Sequence, residues 1–175
     1  MKRWEIINNL IKKHSYKSYL EVGYQYGVNF NKIRCDKKYS IDPNGKAMFK
    51  GTSDEFFKQN RSTFDAIFID GLHLAEQVRS DIINSMKVLN EGGCMVLHDC
   101  YPKTKRMAQR KDNGEEWTGD VWRAWVGFLS RHDGFTYNTD YGVGIAYKQP
   151  LMNFSIVDEE MFSQLPSLLN LKKPS

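Results

Sequence analysis

Four side chains with acid–base or metal-binding chemistry follow two apolar runs of the sequence. Asp70 and His73 follow one run, and His98 and Asp99 follow the next. A neutral imidazole can take a proton from a substrate hydroxyl, and nearby carboxylates can orient it, raise its basicity or hold a divalent cation. We therefore predict that these four residues form a catalytic group. Two structural alternatives stay open: Asp99 caps the following loop, and His98 points back into the fold.

The two apolar runs predict the strands that position this group. Residues 66–69 and 94–97 are continuously apolar, as in parallel strands buried on both faces. A helix is predicted between them from Leu74 to about Leu89, closed by glycines at 92 and 93. Strand, helix and strand with polar residues only at the carboxyl ends indicate a doubly wound sheet, whose ligands bind beyond those ends.

A glycine-containing segment near the start of the chain predicts a cofactor site. Residues 19–22 read as a short buried strand, and Gly23 and Gly27 then allow the backbone to turn tightly and to pass close to a ligand. A helix starting near Asn29 would direct its dipole and its free N–H groups at that ligand. The dinucleotide fingerprint is incomplete because Gln25 replaces its middle glycine, and an ordinary strand-to-helix turn remains the alternative.

The second predicted strand ends in an acid. The predicted strand covers residues 39–42, so Asp42 is its last residue and Pro43 follows it. An acid at this strand tip would lie where ribose hydroxyls bind. A solvated aspartate before a proline turn is the open alternative. A third strand is predicted within 47–50, followed by a helix capped by Thr52 or Ser53. The loop between this strand and the helix would border an adenine.

The remaining elements complete an α/β fold. Residues 1–15 predict an amphipathic lead-in helix. A second helix is predicted to begin at Asp120, and its tryptophans are expected in the core. Asp120 itself would either cap this helix or face the ligand pocket. Residues 135–138 and 143–147 predict a terminal antiparallel hairpin. The elements together predict a doubly wound, mostly parallel, seven-stranded Rossmann-like sheet.

Three segments carry weaker signals. Residues 101–119 are polar and charged, and their length predicts a substrate-covering loop or a disordered insert. Residues 158–171 predict one more helix, interrupted at Pro166, and residues 172–175 are expected to fray. We assign residues 1–150 to a single domain and residues 151–175 to its C-terminal extension.

Composition excludes several classes of protein. The 175 residues, 41% hydrophobic, suffice for one core. The net charge of +4 is mild, and the basic residues are scattered except at 103–106 and 110–111, so nucleic-acid binding is not indicated. Three cysteines without metal-ligand spacing suggest neither a disulfide framework nor a zinc site. Without a signal-peptide core or a long apolar run, a cytoplasmic protein with no membrane partner is expected.

The chain resembles the class I S-adenosylmethionine-dependent methyltransferases, and more narrowly the small branch of macrolide-sugar and related O-methyltransferases. The resemblance extends from about Tyr19 to Tyr147. It is carried by Glu21-Val22-Gly23 with Gly27, Ile41-Asp42-Pro43, Thr52-Ser53-Asp54-Glu55-Phe56-Phe57, Phe68-Ile69-Asp70-Gly71-Leu72-His73, Leu97-His98-Asp99-Cys100 and Gly119-Asp120-Val121-Trp122. The terminal hairpin also matches this family, whose last strand is reversed.

The resemblance implies a site for S-adenosylmethionine. The glycine loop and Glu21 would hold the methionine part, Asp42 the ribose hydroxyls, and Ser53 with Asp54 the adenine. Asp70 would face the methionine ammonium or a metal. The implied cofactor residues are Glu21, Gly23, Tyr24, Gly27, Asn29, Asp42, Pro43, Ser53, Asp54 and Asp70.

The resemblance also implies the catalytic roles. His73 lies where relatives carry a general base, and Asp99 where they carry a second metal ligand. His98 lies where some relatives have a further acidic ligand, which leaves a bound Mg²⁺ open. The implied reaction is methylation of a hydroxyl of a sugar, a glycan or another small molecule, with a homodimer left open. The alternatives are an NAD-dependent oxidoreductase and a non-catalytic nucleotide-binding module.

Overall fold

A single eight-stranded sheet organises the protein, whose structure is a computed structural model describing residues 1–112 and 114–174. The strands run in the order β3-β2-β1-β4-β5-β7-β6-β8. The strands are β1 (Ser18–Val22), β2 (Lys37–Asp42), β3 (Phe49–Lys50), β4 (Phe64–Ile69), β5 (Leu89–Leu97), β6 (Phe135–Tyr137), β7 (Val143–Tyr147) and β8 (Leu171–Lys172); the helices are α1 (Arg3–His14), α2 (Ser53–Gln59), α3 (Ala75–Val88), α4 (Val121–Leu129) and α5 (Leu165–Leu168). The predicted α/β, mostly parallel fold is confirmed.

The register of the parallel strands aligns their carboxyl ends. Val22 of β1 pairs with Ile41 of β2 and with Ile69 of β4, and Ile69 pairs with Leu97 of β5. The residues that follow these four strands therefore emerge side by side along one edge of the sheet. This edge carries the polar residues that the sequence placed after each apolar run.

Helices cover both faces of the sheet. One face packs against α3, α4 and the C-terminal segment, and Trp122 and Trp125 are buried there, as predicted. The indole N–H of Trp125 donates to the hydroxyl of Thr136, 2.8 Å away, so its polar atom is satisfied inside the core. The opposite face packs against α1, whose Ile7 is fully buried.

One predicted helix, expected to start near Asn29, is absent from the described residues. The glycine loop leads into a single 3₁₀ turn, Phe30–Lys32, and the ammonium of Lys38 binds the carbonyl oxygens of Phe30 and Ile33 at 2.9 and 3.1 Å. These contacts end the turn just before β2, which leaves no room for a helix. The cofactor loop therefore lacks the helix dipole that the sequence pattern suggested.

The helix predicted over residues 158–171 is present only as two short helical pieces, and a short strand that was not predicted follows them. A 3₁₀ turn, Glu159–Gln164, leads into the four residues of α5 and then into β8, which pairs with β6. The sheet consequently has eight strands, so the predicted number of seven was wrong. Residues 171 and 172 are ordered by this pairing, and Ser175 of the predicted frayed end lies outside the described residues.

None of the described helices, in residues 1–112 or 114–174, combines the length and apolar character that a membrane crossing requires.

Candidate active site

A cavity of about 950 Å³ lies at the carboxyl ends of β1, β2, β4 and β5. Its size is typical of a small-molecule site. Most of the predicted site residues line it, whereas Gly27 and Asp54 do not. The lining includes Glu21, Gly23, Tyr24, Asn29, Asp42, Pro43, Ser53, Asp70, His73, His98 and Asp99.

The two glycines of the loop after β1 are required by the protein's own packing. Gly23 has φ of +96°, and a Cβ there would lie 2.0 Å from the carbonyl oxygen of Asp70. Gly27 has φ of +72°, and a Cβ there would lie 2.5 Å from the phenol oxygen of Tyr24. The sequence predicted close approach to a ligand, but these glycines approach the end of β4 and a tyrosine ring.

Glu21 is a buried acid at one end of the cavity. Its carboxylate accepts hydrogen bonds from the Tyr19 hydroxyl and from the Asn29 amide, the latter at 2.7 Å. Burial raises the pKa of Glu21 to about 7, against the lowering effect of these two hydrogen bonds. The amide oxygen of Asn29 is buried and has no hydrogen-bond partner. A ligand donor is therefore the natural complement of this end of the cavity.

Asp42 is fixed by the loops on either side of it. Its two carboxylate oxygens accept backbone N–H groups from Gln25 and Asn44, each at 2.7 Å. Gln25 adopts φ of 47° to present its N–H. Each carboxylate oxygen has a second lone pair, so Asp42 can still accept two hydroxyl groups from the cavity side.

The adenine side of the predicted site contains two residues that sequence reasoning missed. Gln77 and Asp81 of α3 line the cavity, and the Gln77 amide donates to Ser53 Oγ and to Asp81 Oδ1, each at 3.2 Å. Burial raises the pKa of Asp81 to about 6. A signal was present in the sequence, because Asp81 stands beside Ile82 on the apolar face of the predicted helix.

The predicted catalytic group forms a closed ring of two aspartates and two histidines. Nε2 of His73 lies 3.3 Å from Asp70 Oδ1 and 3.4 Å from Asp99 Oδ2. Nδ1 of His98 lies 3.4 Å from Asp70 Oδ1 and 3.2 Å from Asp99 Oδ1. The four residues that follow two separate strands are thus in direct contact, and His98 and Asp99 take part in the ring. We call this set the Asp–His ring.

The charges within the Asp–His ring shift the pKa values of its members. Burial alone would lower the pKa of each histidine, but the hydrogen bond that His73 donates to Asp70 and the charge of Asp99 raise the pKa of His73 above its usual value. The pKa of His98 is raised further by the charges of Asp70 and Asp99. Burial would raise the pKa of Asp70, yet the charge of His98 holds it well below its usual range.

A second group of charged residues contacts the Asp–His ring. It comes from the start of the chain and from the turn between β6 and β7, and sequence reasoning missed it. Asp140, in the turn between β6 and β7, lies 3.4 Å from Nε2 of His98. The same carboxylate contacts Arg3 Nη1 at 3.3 Å and Lys2 Nζ at 2.9 Å. Arg3 also lies 3.6 Å from Asp70. No local pattern connects a lead-in helix with a hairpin turn 137 residues away, so only the fold shows this contact.

Backbone strain is concentrated at this group. Asp99, Asp140 and Tyr141 all have positive φ, at 59°, 47° and 62°. Non-glycine residues in this conformation cost free energy and persist where surrounding contacts hold them, often at functional sites.

Described residues of the segment between β5 and α4 line the cavity, and a substrate-covering role for this segment stays a prediction. Trp117 stacks on His73 with ring centroids 4.9 Å apart. Thr118 binds the carbonyl oxygen of Met107 through its N–H at 2.9 Å and its hydroxyl at 3.0 Å. Gly119 packs so closely that a Cβ would lie 2.1 Å from the carbonyl oxygen of His73. The described part of this segment is therefore attached to the catalytic group.

Asp120 links neighbouring elements of the fold through its buried carboxylate. It is 1% exposed, and its carboxylate accepts the N–H of Ala75, the first residue of α3, at 2.8 Å. It also binds Arg110 at 2.5 Å and Arg123 at 3.2 Å. It joins the covering segment to the start of α3 and does not line the cavity.

The ring does not fit a bound Mg²⁺. Asp70, His73 and Asp99 offer ligand atoms within 4.8 Å of one another. Mg²⁺ prefers six oxygen ligands, whereas this set contains an imidazole nitrogen. His98 Nδ1 also lies 3.4 and 3.2 Å from the two carboxylate groups that such an ion would need.

Comparison with known proteins gives a family match for part of the chain. Residues 34–100 match the family described as a methyltransferase domain. A comparison with curated protein sequences gave no match.

Solved structures share the fold over most of their length. An O-methyltransferase of Streptomyces achromogenes, in complex with S-adenosylmethionine, is 11% identical with a TM-score of 0.61 over 85% of this chain and 80% of that one. An O-methyltransferase of Bacillus cereus, with S-adenosylhomocysteine, is 10% identical with a TM-score of 0.60 over 84% and 80%. A methyltransferase of Podospora anserina, also with S-adenosylhomocysteine, is 14% identical with a TM-score of 0.61 over 84% and 78%.

The strand order disfavours the dinucleotide-binding alternative. A Rossmann dinucleotide fold ends in parallel strands with the order 3-2-1-4-5-6, whereas here the antiparallel β7 lies between β5 and β6. The chain therefore has the fold of the class I S-adenosylmethionine-dependent methyltransferases, and its residues 34–100 match the methyltransferase-domain family.

Proposed function

We propose that the protein transfers the methyl group of S-adenosylmethionine to a hydroxyl of a sugar, a glycan or another small molecule, with His73 as general base. The observation that carries the proposal is the contact between His73 and the two carboxylates of the Asp–His ring, at the edge of a cavity that also contains Glu21 and Asp42.

The cofactor is proposed to lie along the ends of β2, β1 and β4. Asp42 accepts the ribose hydroxyls, and Ser53 and Asp81 border the adenine. Glu21 and Asn29 accept the methionine ammonium, because the buried Asn29 oxygen has no hydrogen-bond partner among the described residues. The sulfonium is a cation, and it suits a cavity that contains many carboxylates.

The proposed reaction is an in-line displacement. The sulfonium methyl is already electrophilic, so the protein must align the acceptor oxygen and remove its proton. The C–S bond breaks as the C–O bond forms, and the acceptor proton passes to His73. The products are a methyl ether and S-adenosylhomocysteine, and His73 later releases the proton to solvent.

The tautomer of His73 follows from its contacts. Asp70 and Asp99 both lie at Nε2 and can only accept hydrogen bonds when ionised, so the imidazole proton resides there. Nδ1 is buried and has no hydrogen-bond partner. Its lone pair is therefore the proposed proton acceptor, covered by Trp117 in the structure.

The charge of the cavity restricts the acceptor. Among residues 1–112 and 114–174, eight acidic side chains and a single arginine, Arg3, line the cavity. An anionic acceptor would be repelled, so we propose an uncharged or cationic one. Trp117 and Tyr141 offer flat apolar faces at the mouth, which suits a sugar ring.

The test is methyl transfer from labelled S-adenosylmethionine to a panel of neutral sugars and amino sugars. His73→Ala should lower kcat about 100-fold or more, because general base catalysis contributes that much. The affinity for S-adenosylhomocysteine, measured by calorimetry, should stay within about threefold, since His73 contributes no proposed cofactor contact.

The control variant is His14→Ala, which removes an exposed histidine of α1 outside the cavity. Full activity of His73→Ala on the true acceptor would refute the base assignment. Tighter binding of NAD than of S-adenosylhomocysteine would refute the cofactor assignment.

A further inference from the structure

Arg3 of α1 is the only lysine or arginine that lines the cavity within the described part of the chain. Its guanidinium forms hydrogen bonds with described residues through Nη1 alone, which contacts Nε2 of His98 and Oδ2 of Asp140, each at 3.3 Å. Nε is buried without a hydrogen-bond partner, and it lies 3.6 Å from Asp70 Oδ2, beyond hydrogen-bond distance. The donors at Nε and Nη2 are therefore unused by the fold.

These unused donors suit a carboxylate. An arginine holds five N–H donors in a planar fork, and pairs of them match the two oxygens of a carboxylate group. A buried donor without an acceptor costs free energy, which a bound acceptor would recover. Since eight acidic side chains line the cavity, a ligand carboxylate would be repelled from most of it and attracted to Arg3.

The backbone of the loop after β1 offers few donors to an anion. The N–H groups of Gly23 and Tyr24 both donate to Ile41 O, at 2.9 and 3.2 Å, and that of Gly27 donates to Tyr24 O at 2.7 Å. The N–H of Gln25 is taken by a carboxylate oxygen. The loop ends in a 3₁₀ turn, so it also lacks the helix N-terminus that commonly binds anions. A ligand carboxylate here needs a side-chain partner.

Arg3 lies near the groups proposed to accept the methionine ammonium. Burial raises the pKa of Glu21 to about 7, and the charge of Arg3 is among the influences that lower it, so the two side chains interact. In an α-amino acid the ammonium and the carboxylate are attached to the same carbon. The partner of the carboxylate must therefore lie close to the partners of the ammonium, as Arg3 does.

We propose that Arg3 binds the α-carboxylate of S-adenosylmethionine while Glu21 and Asn29 accept its ammonium, a statement that rests on the proposed function. Asp140 holds Nη1 of Arg3 at 3.3 Å, so the turn between β6 and β7 orients the guanidinium. The lead-in helix, which precedes the residues that carry the family resemblance, thus contributes directly to the cofactor site.

The test compares two ligands by calorimetry: S-adenosylhomocysteine and its decarboxylated form, which keeps the adenosine, the sulfur and the ammonium. The wild type should bind the complete ligand about tenfold or more tightly than the decarboxylated one, because a buried charge pair is lost. Arg3→Ala should weaken binding of S-adenosylhomocysteine by about tenfold or more and change the affinity for the decarboxylated ligand by less than about threefold. Arg3→Lys keeps the charge but not the planar fork, and its affinity should lie between those of Arg3→Ala and the wild type.

Lys2→Ala is the matched control. Lys2 is the neighbouring cation, binds the same carboxylate of Asp140 at 2.9 Å and does not line the cavity. This variant should bind both ligands as the wild type does.

Two outcomes would overturn the proposal. Equal weakening of both ligands by Arg3→Ala would show that Arg3 only supports the fold, and equal wild-type affinity for the two ligands would show that the carboxylate has no partner. A wild type that binds neither ligand would instead refute the proposed cofactor, and the role of Arg3 with it. The measurements need no acceptor and no methyl transfer, so they do not depend on the assignment of the base.

Discussion

At the scale of single residues, the cavity is characterised by carboxyl groups whose environments differ. Asp42 keeps two backbone N–H donors, whereas Glu21 is buried with a raised pKa near neutrality. A buried acid that titrates near pH 7 responds to the charge of its ligand. We therefore expect Glu21 to couple the binding of a cationic cofactor to the release of a proton.

This coupling gives a calorimetric prediction. With a pKa of about 7, Glu21 is half protonated at pH 7, and binding of the methionine ammonium should release about half a proton. The measurement is the binding enthalpy of S-adenosylhomocysteine in two buffers with different ionisation enthalpies. Glu21→Gln should abolish the release, and the exposed control Glu91→Gln should retain it. Equal release by both variants would contradict this role for Glu21.

At the scale of elements, the backbone of the loop after β1 lies very close to the backbone at the end of β4. The loop after β1 touches the end of β4 at Gly23, where the N–H of Asp70 also donates to Val22 O at 2.8 Å. This contact brings Glu21 of β1 towards Asp70 of the Asp–His ring. The loop and the ring thus depend on the same packing.

Gly23→Ala tests that packing, and Gly92→Ala is its matched control. Both glycines have positive φ, but an added Cβ at Gly23 would lie 2.0 Å from backbone, whereas nothing lies within 4 Å of it at Gly92. Gly92→Ala should cost about 1–2 kcal/mol in the free energy of unfolding. Gly23→Ala should cost more than about 3 kcal/mol and weaken cofactor binding. Chemical denaturation provides the measurement, and equal losses would show that the approach is not tight.

At the scale of the whole molecule, the raised pKa values predict a fold that is most stable at mildly acidic pH. The pKa of Glu21 rises from 4.5 to about 7 and that of Asp81 from 3.8 to about 6, so the folded state binds more protons than the unfolded state between those values. Stability therefore falls as pH rises through this window. The raised pKa values of His73 and His98 continue the fall above pH 6.5, because stability from a protonated histidine is lost as pH rises through its folded pKa.

Thermal denaturation of the ligand-free protein from pH 4.5 to 8.5 checks this prediction. The melting temperature should decrease over that range, although the sequence pI is about 8.9. The double variant Glu21→Gln, Asp81→Asn should flatten the curve between pH 4.5 and 7. A melting temperature that rises through that interval in the wild type would contradict the assignment of buried, protonated acids.

Much of this architecture was predictable from local patterns. The apolar runs before Asp70 and His98 predicted two neighbouring strands, and the aligned strand ends brought the four candidate catalytic residues together. The missing helix after the glycine loop was not predictable, because Lys38 ends the 3₁₀ turn from the next strand. Asp140 and Arg3 could not be found either, since their contact depends on how α1 docks against a hairpin turn.

The docking of α1 has a practical consequence for handling the protein. The hydroxyl of Thr139 donates to the carbonyl oxygen of Met1 at 2.8 Å, and Lys2 and Arg3 bind the adjacent Asp140. Any affinity tag or fluorophore fused ahead of Met1 would emerge beside the Asp–His ring. A tag attached at the C-terminus would avoid this region.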